Sequence, residues 1–307
     1  MLNVDSNADT DNKLCNIQLS HIEALAQQRQ STVLVLGASN IDIDMLPALY
    51  DTLRLNGHCK QLDVVLYGRG GIVNAARRIA LLLHQFCDKL CFMVPHYCES
   101  AATLLALSGH EIIAGPLAIF SPIDPQLQSA GNGTDAPSSL SSQDVRLFGQ
   151  MMKDWFSVDD DEAQAQSASL LCNSIFPTTL TSFYRSTLEL QQIGKQLLSY
   201  NLPQSDDAGV SKIIDQLIYG YHSHSYAITR EELMALGINI TADVQSETLA
   251  WHIAADIRAN LGRGACKTVD DGWHDVIIAT AHSIRLRSCK PDSPAPYWQI
   301  QQEVVSQ

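Results

Sequence analysis

The chain has little charge, and little of that charge is positive. Only 17% of its 307 residues are charged, and 20 Lys and Arg face 33 Asp and Glu, a formal net charge of −13. A uniformly acidic surface repels phosphate backbones, so nucleic acid is not an expected partner. The nearest approach to basic clusters is Arg77 with Arg78 and Arg285 with Arg287, which read as solvated faces. No apolar run reaches the roughly 18 residues that a membrane span needs. The opening stretch, MLNVDSNADTDNK, is polar and acidic and lacks the apolar centre of a secretory leader, so a cytoplasmic location is expected. The eight cysteines form no CxxC pair. Cys87 and Cys91, four apart, fit one face of a helix or the turn beyond it, and reduced, mostly buried thiols are expected in place of zinc or disulfides. The one glycine cluster, GRGG at residues 68–71, is not a GxGxxG followed by an acidic residue, so nicotinamide chemistry is not expected. Neither a metal nor any other cofactor is implied.

Apolar residues, by contrast, make up 46% of the chain, enough for a substantial core. Residues 1–18 read as a disordered segment and Leu19–Gln30 as a short helix. Ser31–Ser39 is a short apolar, β-branched run ending in Gly, the pattern of a buried strand, and Leu62–Gly68 and 90–94 read as a second and a third strand. Between them, Asp42–Leu55 and Val73–Phe86 carry apolar residues at helical spacing. Ser100–Leu107 reads as another helix, followed by short strands at Glu111–Gly115 and Leu117–Ser121. Strands alternating with helices predict parallel βαβ units, whose ligands sit at the carboxyl ends of the strands. Two loops, GRGG and HYCES (96–100), occupy that position. Residues 126–144 are rich in Ser, Gly and Ala and read as a mobile surface loop bordering the site. A largely helical stretch is expected from Val145 to about Tyr200, interrupted near Asp159–Asp161 and at Pro177, with further helices at 211–221, Thr229–Gly237 and Ser246–Asn260. Thr229 with Glu232 forms a capping box. The expected division is a segment 1–18, one domain over 19–290 closing on a C-terminal helix, and a tail at 291–307.

Four ordered blocks carry a family resemblance. VVLYGRGG (64–71) resembles the strand and TPGG or SPGG turn of Clp-fold proteases. VPHYCESAATLLAL (94–107), SPIDPQL (121–127) and SHSYAITREELMALG (223–237) resemble the VPxxAxSAGTLLAL, GPIDPQ and SHxYPIxxEEAxxLG segments of the serine dehydrogenase proteinase family, relatives of Clp protease and signal peptide peptidase A. The resemblance implies an α/β Clp/crotonase-type fold of repeated ββα units with helical additions. It also implies a serine endopeptidase acting on protein or peptide substrates through an acyl-enzyme, and a homo-oligomer.

Ser100 follows a strand and opens a helix, where unpaired backbone N–H groups favour an oxyanion beside a serine nucleophile. A helix-capping serine has the same sequence signature. The resemblance makes Ser100 the nucleophile, places the oxyanion hole at the amides of Gly71 and Ala101, and carries over Asp124 and His224 as orienting acid and base. His222 competes with His224. Lys153 or Lys195 would supply the base of a Ser–Lys dyad, and His96 lies near enough to touch substrate. Gly70 and Arg69 are the expected substrate-binding residues. The chain departs from the family pattern at Arg69, Ala102 and Ser121, where the family has Pro, Gly and Gly. A catalytically silent Clp-fold scaffold or binding subunit is therefore the alternative. A crotonase-like acyl-CoA enzyme fits the four blocks less well.

Overall fold

A computed structural model describes residues 17–128, 139–158, 160–293 and 295–303. Helix α1 (Leu19–Arg29) leads into β1 (Thr32–Ala38), α2 (Met45–Asn56), β2 (Cys59–Gly68), α3 (Val73–His84), β3 (Cys87–Val94), the short β4 (Tyr97–Cys98) and α4 (Ala101–Ala106). Strands β5 (Glu111–Ala114), β6 (Ile119–Phe120), β7 (Gln126–Gln128) and β8 (Ser139–Ser141) follow, the last two paired antiparallel. Helices α5 (Ser142–Phe156), α6 (Asp161–Ser174), α7 (Pro177–Asn201), α8 (Asp207–Tyr219) and α9 (Arg230–Ala235) come next. Strand β9 (Ile240–Thr241), helix α10 (Val244–Asn260) and strands β10 (Trp273–Ala279), β11 (Ser283–Cys289) and β12 (Tyr297–Glu303) complete the chain.

The main sheet runs β12-β11-β10-β1-β2-β3-β5-β9, parallel from β1 to β9, with β4 and β6 branching from the end of β2. Side-chain alternation assigns its two faces. Leu34, Leu36, Leu62, Val64, Leu66, Leu90 and Phe92 point toward α2, α3 and α4, while Val33, Val35, Val65, Cys91 and Met93 point toward α1 and α10. Both faces are covered, which is why the strands read as continuous apolar runs. The Clp-like α/β expectation holds, and the strands that alternate with helices are parallel as expected. The two interruptions expected around α5–α7 also fall where anticipated, before Asp161 and at Pro177, and Thr229 caps α9 through the reciprocal box with Glu232.

Three expectations need correction. Cys87 and Cys91 both lie on β3 and not on a helix face, because α3 has already ended at His84. The chain does not close on a C-terminal helix: α10 is followed by an antiparallel meander, and Tyr297–Glu303, expected as tail, pairs with β11. Nor are Arg285 and Arg287 solvated. Arg287 is 5% exposed, with its guanidinium forked between Asp42 and Asp275, and Arg285 is 8% exposed beside Glu303. WHDVIIA and YWQIQQE mix polar and apolar residues because they are only partly covered at the flank of the sheet, whereas SIRLRSC is buried along nearly its whole length with its arginines paired to carboxylates. In the expected N-terminal segment, Ile17 is buried against α1 and α10, and residues 1–16 lie outside the described residues. Residues 129–138 of the expected loop and 304–307 of the expected tail also lie outside them.

Candidate active site

The carboxyl ends of β1, β2 and β4 converge on one cavity of about 720 Å³. Three backbone turns shape its floor. Gly68 at the end of β2 pairs with Cys98, and its carbonyl accepts the Glu99 N–H at 3.0 Å, so the loop that carries Ser100 is registered against the glycine turn. Ile41, just past β1, donates its N–H to the Gly70 carbonyl and accepts the Ile72 N–H, each at 2.8 Å. This bridge leaves the Gly71 N–H with no protein partner among the described residues. Gly70 and Gly71 have φ of 108° and 142°, and a Cβ on Gly71 would collide with the Ile41 backbone. The glycine pair is thus required both by conformation and by the closeness of Ile41.

Ser100 stands at the N-terminal boundary of α4 with φ 53° and ψ −117°. A non-glycine residue held there costs of the order of 1–3 kcal/mol, and such strain gathers at functional turns. Its own N–H is donated to the Ser121 hydroxyl at 2.7 Å. The Ser121 N–H is donated in turn to the Thr103 hydroxyl at 3.2 Å, and Thr103 donates to the Cys98 carbonyl at 2.5 Å. Ser121 is therefore more than a departure from the family's glycine: its hydroxyl fixes the strained turn. The sequence reading missed this role. Ser121→Ala should cost about 1 kcal/mol of stability, the usual net worth of a buried hydrogen bond, and should leave the Ser100 N–H without its acceptor. Thermal denaturation checks it, and an unchanged melting temperature would show that the turn holds itself.

Ala102, the second departure, is fully buried, with its Cβ facing Gly68, and it does not line the cavity. The extra methyl group is accommodated beneath α4. At the third departure, the Arg69 guanidinium lies 3.8 Å above the Tyr97 ring and 3.9 Å from Glu99, at the rim of the cavity. Stacking on an aromatic face with a carboxylate beside it fixes the direction of this side chain.

Asp124 and His224 meet, although 100 residues separate them: Nδ1 of His224 lies 2.7 Å from Oδ1 of Asp124. Ile228 forms an antiparallel bridge with Phe120, which lays the 224–228 segment alongside 120–124. Asp124 is buried at 4% exposure, and its second oxygen accepts the Ser141 hydroxyl at 2.6 Å. Ser141 also caps α5, accepting the Gln143 N–H. A buried carboxylate with both oxygens engaged is well held. Ser141 was not picked out from the sequence, because it lay within a stretch read as loop. His224 is part-exposed and lines the cavity together with Ser100, Gly71, Ala101 and Arg69. No hydrogen bond joins the Ser100 hydroxyl to His224 directly.

The competing residues fall elsewhere. His222 is exposed and outside the cavity lining. Lys153 lies on α5 beside a different depression, and Lys195 on α7 does not reach the cavity. His96 packs 3.9 Å from the Tyr97 ring and does not line the cavity, and desolvation, with Arg258 and Arg69 nearby, lowers its pKa. Burial pushes the thiol of Cys98, two residues before Ser100, far above its ordinary value, so it is no rival nucleophile.

The fold and site define an α/β protein with a serine on a strained strand-to-helix turn, facing a glycine turn and an Asp–His pair. Residues 14–144 match the family of ClpP-like SDH-type serine proteinases, which bears out the resemblance drawn from the sequence blocks. Two uncharacterized proteins of Methanocaldococcus jannaschii are similar. One is 26% identical over 243 residues, 75% of each chain. The other is 24% identical over 204 residues, 66% of this chain and 60% of that protein. Among solved structures, a mutant of the 1510-N membrane-bound stomatin-specific protease aligns at TM-score 0.38 and 15% identity, covering 67% of this chain and 77% of that one. A second mutant, in complex with a substrate peptide, aligns at TM-score 0.41 and 16% identity, covering 68% and 74%. Among the described residues of this chain, no helix is long and apolar enough to cross a membrane.

Proposed function

We propose that the protein is a serine peptidase in which Ser100 is the nucleophile, His224 the general base, and Asp124 the group that orients it. The observation that carries this reading is the Asp124–His224 pair at 2.7 Å, on the wall of the cavity that Ser100 lines. In the reaction His224 Nε2 accepts the Ser100 proton as Oγ attacks the scissile carbonyl. Asp124 holds the proton on Nδ1, so the attacking side of the ring is unprotonated, and it stabilises the imidazolium that forms. The carbonyl oxygen becomes an oxyanion between the N–H groups of Gly71 and Ala101. His224 then returns the proton to the leaving amine, and water, activated by the same base, releases the acyl group from Ser100. Contact between His224 and Ser100 closes as substrate binds, since catalytic hydrogen bonds that are loose in an unliganded site tighten in the complex. Gly70 allows the substrate backbone to approach, and Arg69 offers a fixed cation at the rim to a substrate carboxylate.

A fluorophosphonate probe tests the reading: native protein should become labelled at Ser100. Absence of labelling would favour the silent Clp-fold scaffold. The reading extends to a cytoplasmic homo-oligomer. Seven described cysteines are free thiols, as a reducing compartment would keep them. Trp155, Phe156, Leu170 and Phe176, on or beside α5–α7, are all more than half exposed. Exposed apolar residues in such number mark a contact surface. Light scattering at micromolar concentration should give a multiple of the monomer mass; a monomer mass would count against assembly.

A further inference from the structure

The structure assigns Arg287, on the C-terminal meander, the part of a positioning residue for the glycine turn: it anchors Asp42, and the adjacent Ile41 backbone aims the Gly71 N–H. The inference rests on the serine-peptidase reading for its catalytic consequence, but its structural half stands apart from that reading. The linkage consists of short contacts throughout. Nη1 and Nη2 of Arg287 reach the two carboxylate oxygens of Asp42 at 2.8 and 2.6 Å, a bidentate fork. Nε and Nη2 reach Asp275 at 2.9 Å each, a second fork on the neighbouring strand β10. The Asp275 carbonyl also accepts the Ser39 N–H at 2.8 Å. Residues 39–42 are therefore pinned at both ends by β10 and β11, and Asp42 further accepts the Asp44 N–H at 3.1 Å.

Between those pins lies Ile41, whose N–H and carbonyl clasp Gly70 and Ile72. The peptide groups on either side of Gly71 are thus fixed by a segment that Arg287 fixes. The guanidinium is firmly charged: burial opposes its charge, but the hydrogen bonds it donates to Asp42 and Asp275, with their negative charges, outweigh burial and raise its pKa. A planar fork between two carboxylates sets direction as well as distance, which a lysine cannot reproduce. The family match ends at residue 144, so it covers Asp42 and the glycine turn but does not reach Arg287 or Asp275.

The test compares Arg287→Lys and Asp42→Asn with Arg29→Lys. Arg29 forms a comparable pair with buried Asp63 at 3.1 Å, midway along β2 and outside the cavity lining. Asp42→Asn keeps the Arg287–Asp275 fork, so it should fold even if the arginine variant does not. Two readouts are taken for each. The first is amide exchange at Ile72, whose N–H is bonded to Ile41; it should quicken about tenfold or more in Asp42→Asn and Arg287→Lys and stay unchanged in Arg29→Lys, as local opening loosens only the braced turn. The second is turnover of a peptide ester. kcat should fall about 10- to 100-fold in the first two variants, with KM and the pH profile unchanged, because a misdirected oxyanion donor acts in the transition state while the His224–Asp124 pair is untouched. Unchanged exchange would overturn the brace. Faster exchange with unchanged kcat would overturn the positioning role. A native protein that neither turns over ester nor labels at Ser100 would overturn the peptidase reading alone, with the brace still read by exchange.

Discussion

Ser100→Ala is expected to abolish fluorophosphonate labelling and to lower peptide or ester hydrolysis about 10⁵- to 10⁶-fold, the scale on which loss of a nucleophile is felt when the remaining members act as one unit. The loss is chemical, not structural. The contacts that hold the turn belong to its backbone: the residue 100 N–H donated to Ser121, and the Ala102 and Leu104 N–H groups donated to the Glu99 and Ser100 carbonyls. Alanine keeps all of them and bears the same unfavourable φ, so the melting temperature should match that of the native protein. Among the described residues, the only other hydroxyl lining the cavity is that of Ser186, which stands on α7 and not at a strained turn opening a helix beside the glycine pair. Residual labelling in the variant at more than about one per cent of the native rate, on the same scale, would point to another nucleophile.

Asp124→Asn is the second large effect. The native carboxylate accepts from His224 Nδ1 and from the Ser141 hydroxyl. An asparagine must divide its side chain between one acceptor and one donor. With its oxygen kept by Ser141, its amide nitrogen faces Nδ1 and favours the tautomer that carries the proton on Nε2. That imidazole cannot accept the proton of Ser100. kcat should fall by roughly 10⁴ with little change in KM, as in other sites where the orienting carboxylate is made neutral. Activity should recover partly at high pH, where hydroxide assists the serine. A loss below tenfold would show that Asp124 serves only to tie the 223–228 loop to the strand ends.

The parts of the site that the sequence shows are those carried by short, local patterns. Three parallel strands were visible as apolar runs, because burial on both faces leaves no alternation to disguise them. Ser100, Gly70 and Gly71 were visible because a turn of positive φ and a close backbone approach restrict residue type at known places. The pairing of Asp124 with His224 followed from resemblance and not from spacing, since nothing local links residues 100 apart. Ser121 and Ser141 were hidden because a serine in a loop looks alike whether it holds a nucleophile's amide, anchors a carboxylate or faces water. Arg287 was misread for a related reason: a basic residue in a polar strand looks solvated unless its carboxylate partners, Asp42 and Asp275, can be seen across the fold. The contribution of Ile41 is the least legible of all. Its peptide group does the clasping, so only the glycine opposite records the contact.

The brace on the glycine turn has a consequence for the timing of synthesis. Asp42 and Arg287 are 245 residues apart. At the roughly 5–20 residues per second of ribosomal elongation, the interval between them is about 12–50 s. Through the later part of that time the glycine pair and Ser100 have already been made, while the segment that aligns them has no anchor. On the peptidase reading, a half-made chain therefore holds Ser100 beside an unaligned glycine turn, and competence arrives only with the final strands.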